Sequence, residues 1–394
     1  MKKTSVLMVT VFMLDFLFTG PVLAQSNIFG PGTGSRYDVA SLSERLFNLE
    51  KRSNSLNVYM NMRGGMYHMP DEGNHGTGIN LSYFRPELVG DLGNWGYRIR
   101  LNFCNEGIIE SDGSSGIIDY GKIYYKSPNG LRFSFGKSPI NVGNFENDWD
   151  PLYVLHFYEF MDNMPDVVNT NVTMGYQFQN HRLTVEAANS HNLPMLADSP
   201  AAQAVFTPSG HHLQYSLSWY GNMFDDILRT IWSYTLRNEA EGCNTSVILL
   251  GTGLTLGKFD LLLDYNGAFG KADYLGLVTS DARAAGLTSP DGIVTNTRYQ
   301  QWVADISYRP TERWVMFVKL GLNGSSSSDY EQLRNYRKTY ECTTAVQYFL
   351  DKSQDLRLSL SYYGRSTKYK EGINLMDSNY NRIELSFVCR LKLF

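Results

Sequence analysis

The sequence predicts an all-β fold: a transmembrane antiparallel β-barrel of about sixteen strands, preceded by a short N-terminal periplasmic helix or coiled-coil segment. Three observations predict it. Apolar and polar residues alternate with period two through most of the chain. The alternating segments are even in number, and the connections between them are short and long by turns. The composition suits strands, with 13% aromatics, 26 Tyr and 21 Phe against only 19% charged residues.

The same composition excludes other classes. A mean hydropathy of -0.29 argues against a bundle of membrane helices, and beyond the start of the chain every long apolar stretch is broken by polar residues. A hydrophobic content of 43% argues against disorder. The net charge of -4 and pI near 6.0 give no basic footprint, so no nucleic-acid partner is expected. Cys104, Cys243, Cys342 and Cys389 lack CxxC or CxH spacing, which points to free buried thiols rather than a zinc site or a disulfide framework.

Residues 1–24 read as a cleaved secretory signal. Lys2 and Lys3 form its basic start, Val6 to Phe18 its apolar run, and Val22-Leu23-Ala24 its cleavage site. Residues 25–55 are expected to be a periplasmic linker and short helix, and residues 56–394 the barrel. The linker begins Gly-, Pro- and Ser-rich. Leu42, Leu46, Leu49 and Leu56 then follow the a/d spacing of a heptad seam, with Glu44, Arg45, Glu50, Lys51 and Arg52 between them. That spacing fits an amphipathic helix resting on the domain, or a short coil that registers an oligomer.

After Leu56 the period shortens to two. From Trp95 to Phe103 every odd residue is apolar, and the pattern returns in Leu131/Phe133/Phe135, Val172/Met174/Tyr176/Phe178, Leu213/Tyr215/Leu217/Trp219 and Leu356/Leu358/Leu360. Strands are expected near 56–67, 79–90, 95–105, 117–126, 131–137, 170–179, 181–190, 211–220, 227–237, 245–256, 258–268, 298–309, 313–322, 339–350, 355–364 and 380–394. On one side the connections are brief, as at Asp91–Asn94 and Gly257. On the other most are long, as at Ser138–Asn169 and Phe269–Thr297. A secreted sandwich also alternates, but its turns carry no long and short side. About twenty-two strands and a plug do not fit this length.

No enzyme chemistry is legible, and no cofactor or metal is expected. Gly136-Lys137-Ser138 lacks the leading glycine of a phosphate-cradling loop, and neither HExxH nor GxSxG occurs. Asp148 and Asp150 have no calcium-loop spacing. The longest connection, 138–169, is too aromatic for disorder and too long to be idle. We expect it to fold into the lumen as a constriction carrying Glu146, Asp148, Asp150, Glu159, Asp162 and Asp166. Parity puts Arg85, Arg98, Arg100, Lys122 and Arg132 on the lumen wall, with Lys137 near the rim. Acids facing bases across a narrow lumen imply a transverse field. The alternative is solvated charges with no aligned field. Two functions fit: a passive diffusion channel for small hydrophilic solutes and ions, or a non-conducting barrel that binds or adheres through surface loops.

The stretch Leu131 to Glu146, LRFSFGKSPINVGNFE, ends a strand with a Gly-Lys pair followed by Pro and Gly. It resembles the corresponding strand end of the phosphate-selective porin O and P-like family. The DPLY and EFMDN stretches and the leucine-bearing lead-in are similar to porins of Bacteroidetes outer membranes. The resemblance implies a sixteen-strand trimeric porin of the Gram-negative outer membrane, embedded in its lipid, delivered by the barrel-assembly machinery and passing small solutes. The loops lack the lysine-rich run expected for phosphate selection.

Overall fold

The computed structural model describes residues 54–70, 76–105, 116–190, 206–207, 209–211, 213–289, 292–351 and 355–393. The expected signal segment, the linker up to residue 53, and Leu42, Leu46 and Leu49 lie outside the described residues, while residues 54 and 55 already belong to the first strand.

The strands are β1 (Asn54–Met69), β2 (Gly76–Leu92), β3 (Trp95–Leu101), β4 (Ile118–Lys126), β5 (Leu131–Pro139) and β6 (Val168–Phe178). Next come β7 (His181–Asn189), β8 (Leu213–Met223), β9 (Leu228–Ala240), β10 (Cys243–Leu256) and β11 (Phe259–Gly270). They end with β12 (Thr297–Thr311), β13 (Trp314–Ser327), β14 (Arg337–Asp351), β15 (Leu356–Tyr369) and β16 (Ser378–Lys392). Each pairs antiparallel with its sequence neighbour, and β1 closes on β16 from Tyr59 opposite Lys392 to His68 opposite Ile383. Closure gives each strand a paired neighbour on both sides, which suits backbone in hydrocarbon, with β2 meeting β3 only over Glu87–Leu92. Among the described residues no helix is long and apolar enough to cross a membrane.

Side chains show why the sheet closes with its oily face outward. On β13, Met316, Val318, Leu320 and Leu322 are exposed, while Lys319 and Asn323 are buried inside. Aromatic pairs mark two levels of the outer wall, Trp314 with Tyr348 and Phe259 with Tyr308 below, Tyr265 with Trp302 above. The hairpin between β10 and β11 turns at Gly257, whose φ of +59° suits glycine, so that Leu256 faces Phe259 in register. Both the start of β1 and the end of β16 lie on the short-turn side.

Three expectations change. The third strand stops at Leu101, followed by a 3-10 turn over Phe103–Asn105. Leu56 is no part of a helical seam: it sits inside β1, paired with Gly90 and exposed on the outer wall. The ladder to β2 takes its backbone before the heptad pattern ends. Of the cysteines, Cys104 is exposed and Cys342 half-buried, because a barrel turns part of its apolar set outward; Cys243 and Cys389 are buried, and all four are free.

Candidate pore constriction

Between β5 and β6 the chain enters the barrel. Its local structure is two single-turn helices, α1 (Phe145–Asp148) and α2 (Glu159–Asp162). Asn144 caps α1 by accepting from the Asn147 amide at 2.7 Å. From β11, Asp264 accepts from the amides of Phe145 at 3.1 Å and Glu146 at 3.0 Å, satisfying two donors that a helix start leaves open. The Asn144 side-chain Nδ2 donates to Oδ1 of Asn266 at 2.6 Å. Phe145 lies against Gly251 and Gly253 of β10, where an added Cβ would come within 3.0 Å of the ring or its neighbours. Those lumen-facing glycines meet an aromatic ring and not water, because the loop occupies that wall.

The loop then crosses to the opposite wall, where three of the basic residues named in the sequence, Arg85, Arg98 and Arg100, converge. Asp150, 2% exposed, meets Arg85 at 3.3 Å and Arg98 at 4.0 Å, and pairs directly with Arg100. Asp119 holds Arg100 at 2.6 Å and Arg85 at 3.3 Å, and Glu87 holds Arg98 at 2.5 Å. The guanidinium groups of Arg98 and Arg100 lie over the Tyr120 ring. Lys122 instead donates to Ser138 at 3.1 Å. Arg132 is half-buried on β5 opposite Lys126. Lys137 is buried, not at a solvated rim, beside Gly136, whose φ of +131° is one that side-chain-bearing residues rarely adopt.

The loop acids are therefore mostly partners rather than the far side of a gap. Glu146 takes Lys319 at 2.5 Å, Glu159 takes Arg337 at 2.7 Å, and Asp166 takes Arg237 at 2.5 Å. Asp148 is buried within α1. Asp162 alone of the six is well exposed, 3.8 Å from Arg365. A transverse field between separated walls gives way to contact pairing, because the connection is long enough to reach the wall it faces.

Several anchors carried no sequence signal beyond inward parity. Arg63 donates to the carbonyls of Val154 and Leu155, the latter at 2.9 Å. Glu341 accepts from the Glu159 amide at 3.0 Å, from Tyr363 at 2.7 Å and from Arg365 at 3.1 Å. His156 stacks on Tyr363 with centroids 4.5 Å apart. Its enclosure, and then the cations Arg63, Arg382, Lys319 and Arg365, hold its pKa well below the usual histidine value. Burial raises the Glu159 carboxyl, with Arg337 opposing. Phe160, Met161 and Met164 of the loop pack with Val278 and Ala282 of the helix α3 (Leu277–Ala284) and with Tyr336, forming an apolar cluster inside the mouth. Among the described residues no group of His, Cys, Asp and Glu is arranged to hold a metal.

A family model described as phosphate-selective porin O and P matches residues 57–388. The chain belongs to this family. It is an outer-membrane diffusion channel, and family and fold both point to a channel rather than an enzyme. No curated protein sequence matches the chain. Its fold is similar to the outer-membrane channel DcaP of Acinetobacter baumannii, with a TM-score of 0.60 and 12% identity over 87% of this chain and 99% of that one. It is similar to the anion-selective porin of Comamonas acidovorans, with a TM-score of 0.60 and 10% identity over 86% and 100%. It is also similar to the trimer form of OmpT of Vibrio cholerae, with a TM-score of 0.55 and 10% identity over 86% and 100%.

Proposed function

We propose that this porin passes small hydrophilic solutes and ions through a constriction made by the connection 138–169, and that ion pairs to the wall keep that loop seated. The observation that carries this reading is Asp150, buried among Arg85, Arg98 and Arg100. An ion-paired contact fixes the loop while leaving the half-buried Lys126 and Arg132 of the β4–β5 wall to interact with the permeant. Phosphate, which the family's description names, is one small anion such a wall would pass.

The working unit in this proposal is a homotrimer, exported by a signal segment at residues 1–24 and registered in part by the Leu42, Leu46 and Leu49 seam. Conductance of the purified protein in planar bilayers tests the reading. Stepwise, ohmic single-channel currents support it. Protein that inserts without conducting would instead favour a binding barrel, a reading to which the apolar cluster inside the mouth lends some weight.

A further inference from the structure

The outer wall departs from its apolar pattern near the long-loop ends of β11–β15, where cations face outward. Lys271 follows β11, and Arg298, Lys338 and Lys368 lie on β12, β14 and β15. All four are exposed, and Arg298 and Lys338 each sit between two buried neighbours, which fixes them on the outer face. Lys338 is directly opposite Lys368 in the β14–β15 register. Like charges in that relation destabilise a sheet unless an anion lies between or above them. Among the described residues only Lys368 has an acidic partner, Asp377 at 2.9 Å; Asp329 at the nearby rim is taken by Thr295 and Asn296.

The height of the patch is set by its own strand. Tyr340 and Tyr348 face outward on β14, and at ~3.3 Å per residue and a tilt of ~40° they are ~20 Å apart along the membrane normal, near the ~25 Å apolar band of such barrels. Lys338 is the next outward position beyond Tyr340, so it lies at headgroup depth. Below it Leu320, Leu322, Trp302 and Leu360 are exposed and apolar. We infer that this face of β11–β15 binds a phosphorylated amphiphile of the outer leaflet, its phosphate between Lys338, Lys368 and Arg298 and its acyl chains along the apolar wall beneath. A second copy of the chain is a poorer occupant, since its outer wall is mainly apolar and these cations outnumber the acids beside them.

The test uses the full-length protein in phosphatidylcholine nanodiscs containing lipid A or dephosphorylated lipid A, with native mass spectrometry counting retained lipid. Phosphorylated lipid A should be retained preferentially. Each charge removed in Lys338→Gln and Lys368→Gln should weaken retention about fivefold, since a basic residue at an anionic surface contributes about 1 kcal/mol. Arg313→Gln, an exposed cation at the short-turn end, should change nothing. Equal retention of the two lipids by the unmodified protein overturns the inference and needs no variant. So does loss of the oligomer in Lys338→Gln without lipid, which would assign the patch to a contact between copies.

Discussion

Replacing Asp150 with Asn perturbs the loop at its most charged anchor while keeping side-chain size. Arg85, Arg98 and Arg100 meet Asp150, Asp119 and Glu87 there, and Arg390 reaches Glu87 from β16 at 3.7 Å. The substitution removes one of three acids facing four arginines, so the excess positive charge rises from one to two. Removing one partner of a buried pair costs about 3–5 kcal/mol, and the lower end applies where water can enter a lumen. At about 1.4 kcal/mol per tenfold, that is roughly a hundredfold in the seating equilibrium at this anchor. Arg63, Lys319 and Asp264 still hold the loop, so the barrel should keep its melting behaviour while single-channel currents become noisier. In a salt gradient around 0.1 M the reversal potential should move toward anion selectivity. The shift should shrink near 1 M, because the screening length falls from ~10 Å to ~3 Å. An unchanged reversal potential at low salt, in a variant that still conducts, would show that this cluster does not border the pore. Asp162→Asn should have a smaller effect, since that carboxylate is exposed and 3.8 Å from its arginine.

Four further outcomes are expected. Leu250→Arg, on the outer face of β10, should destabilise the barrel by ~2–4 kcal/mol in a lipid folding assay if the residue lies near the midplane. Gly251→Leu should instead leave the barrel folded but displace Phe145, read as raised conductance. Loop seating should weaken as pH falls below about 6.5, because the seated His156 pKa is depressed and the unseated side chain binds the proton more readily. His156→Gln should flatten that acid limb in current noise, while the raised Glu159 carboxyl acts with the opposite sign, its stabilisation lost as pH rises through its raised value. Deleting residues 37–53 should weaken the trimer on gentle detergent extraction without unfolding the barrel; a monomeric intact protein would remove the coil reading.

Which residues face outward was legible in the chain because a strand's pleat is local. Leu320 and Lys319 take opposite faces by adjacency alone, whatever the rest of the molecule does. The strand number followed from the same period, and the side of the long loops from their lengths. Depth and partnership did not follow. Parity sent Gly251 and Gly253 to the lumen but carried no sign that Phe145 already occupies it. It likewise set Arg85 and Arg100 on the wall, while their contact with Asp150 spans 65 and 50 positions of sequence. Leu56 shows the reverse conflict, a heptad position overruled by hydrogen bonding to β2. Alternation is written residue by residue, so the sequence by itself determined the faces of the barrel. Where the loop between β5 and β6 crosses, and which acid meets which base, depends on closure of the sheet and on the walls the loop can reach, and only the tertiary structure decided it.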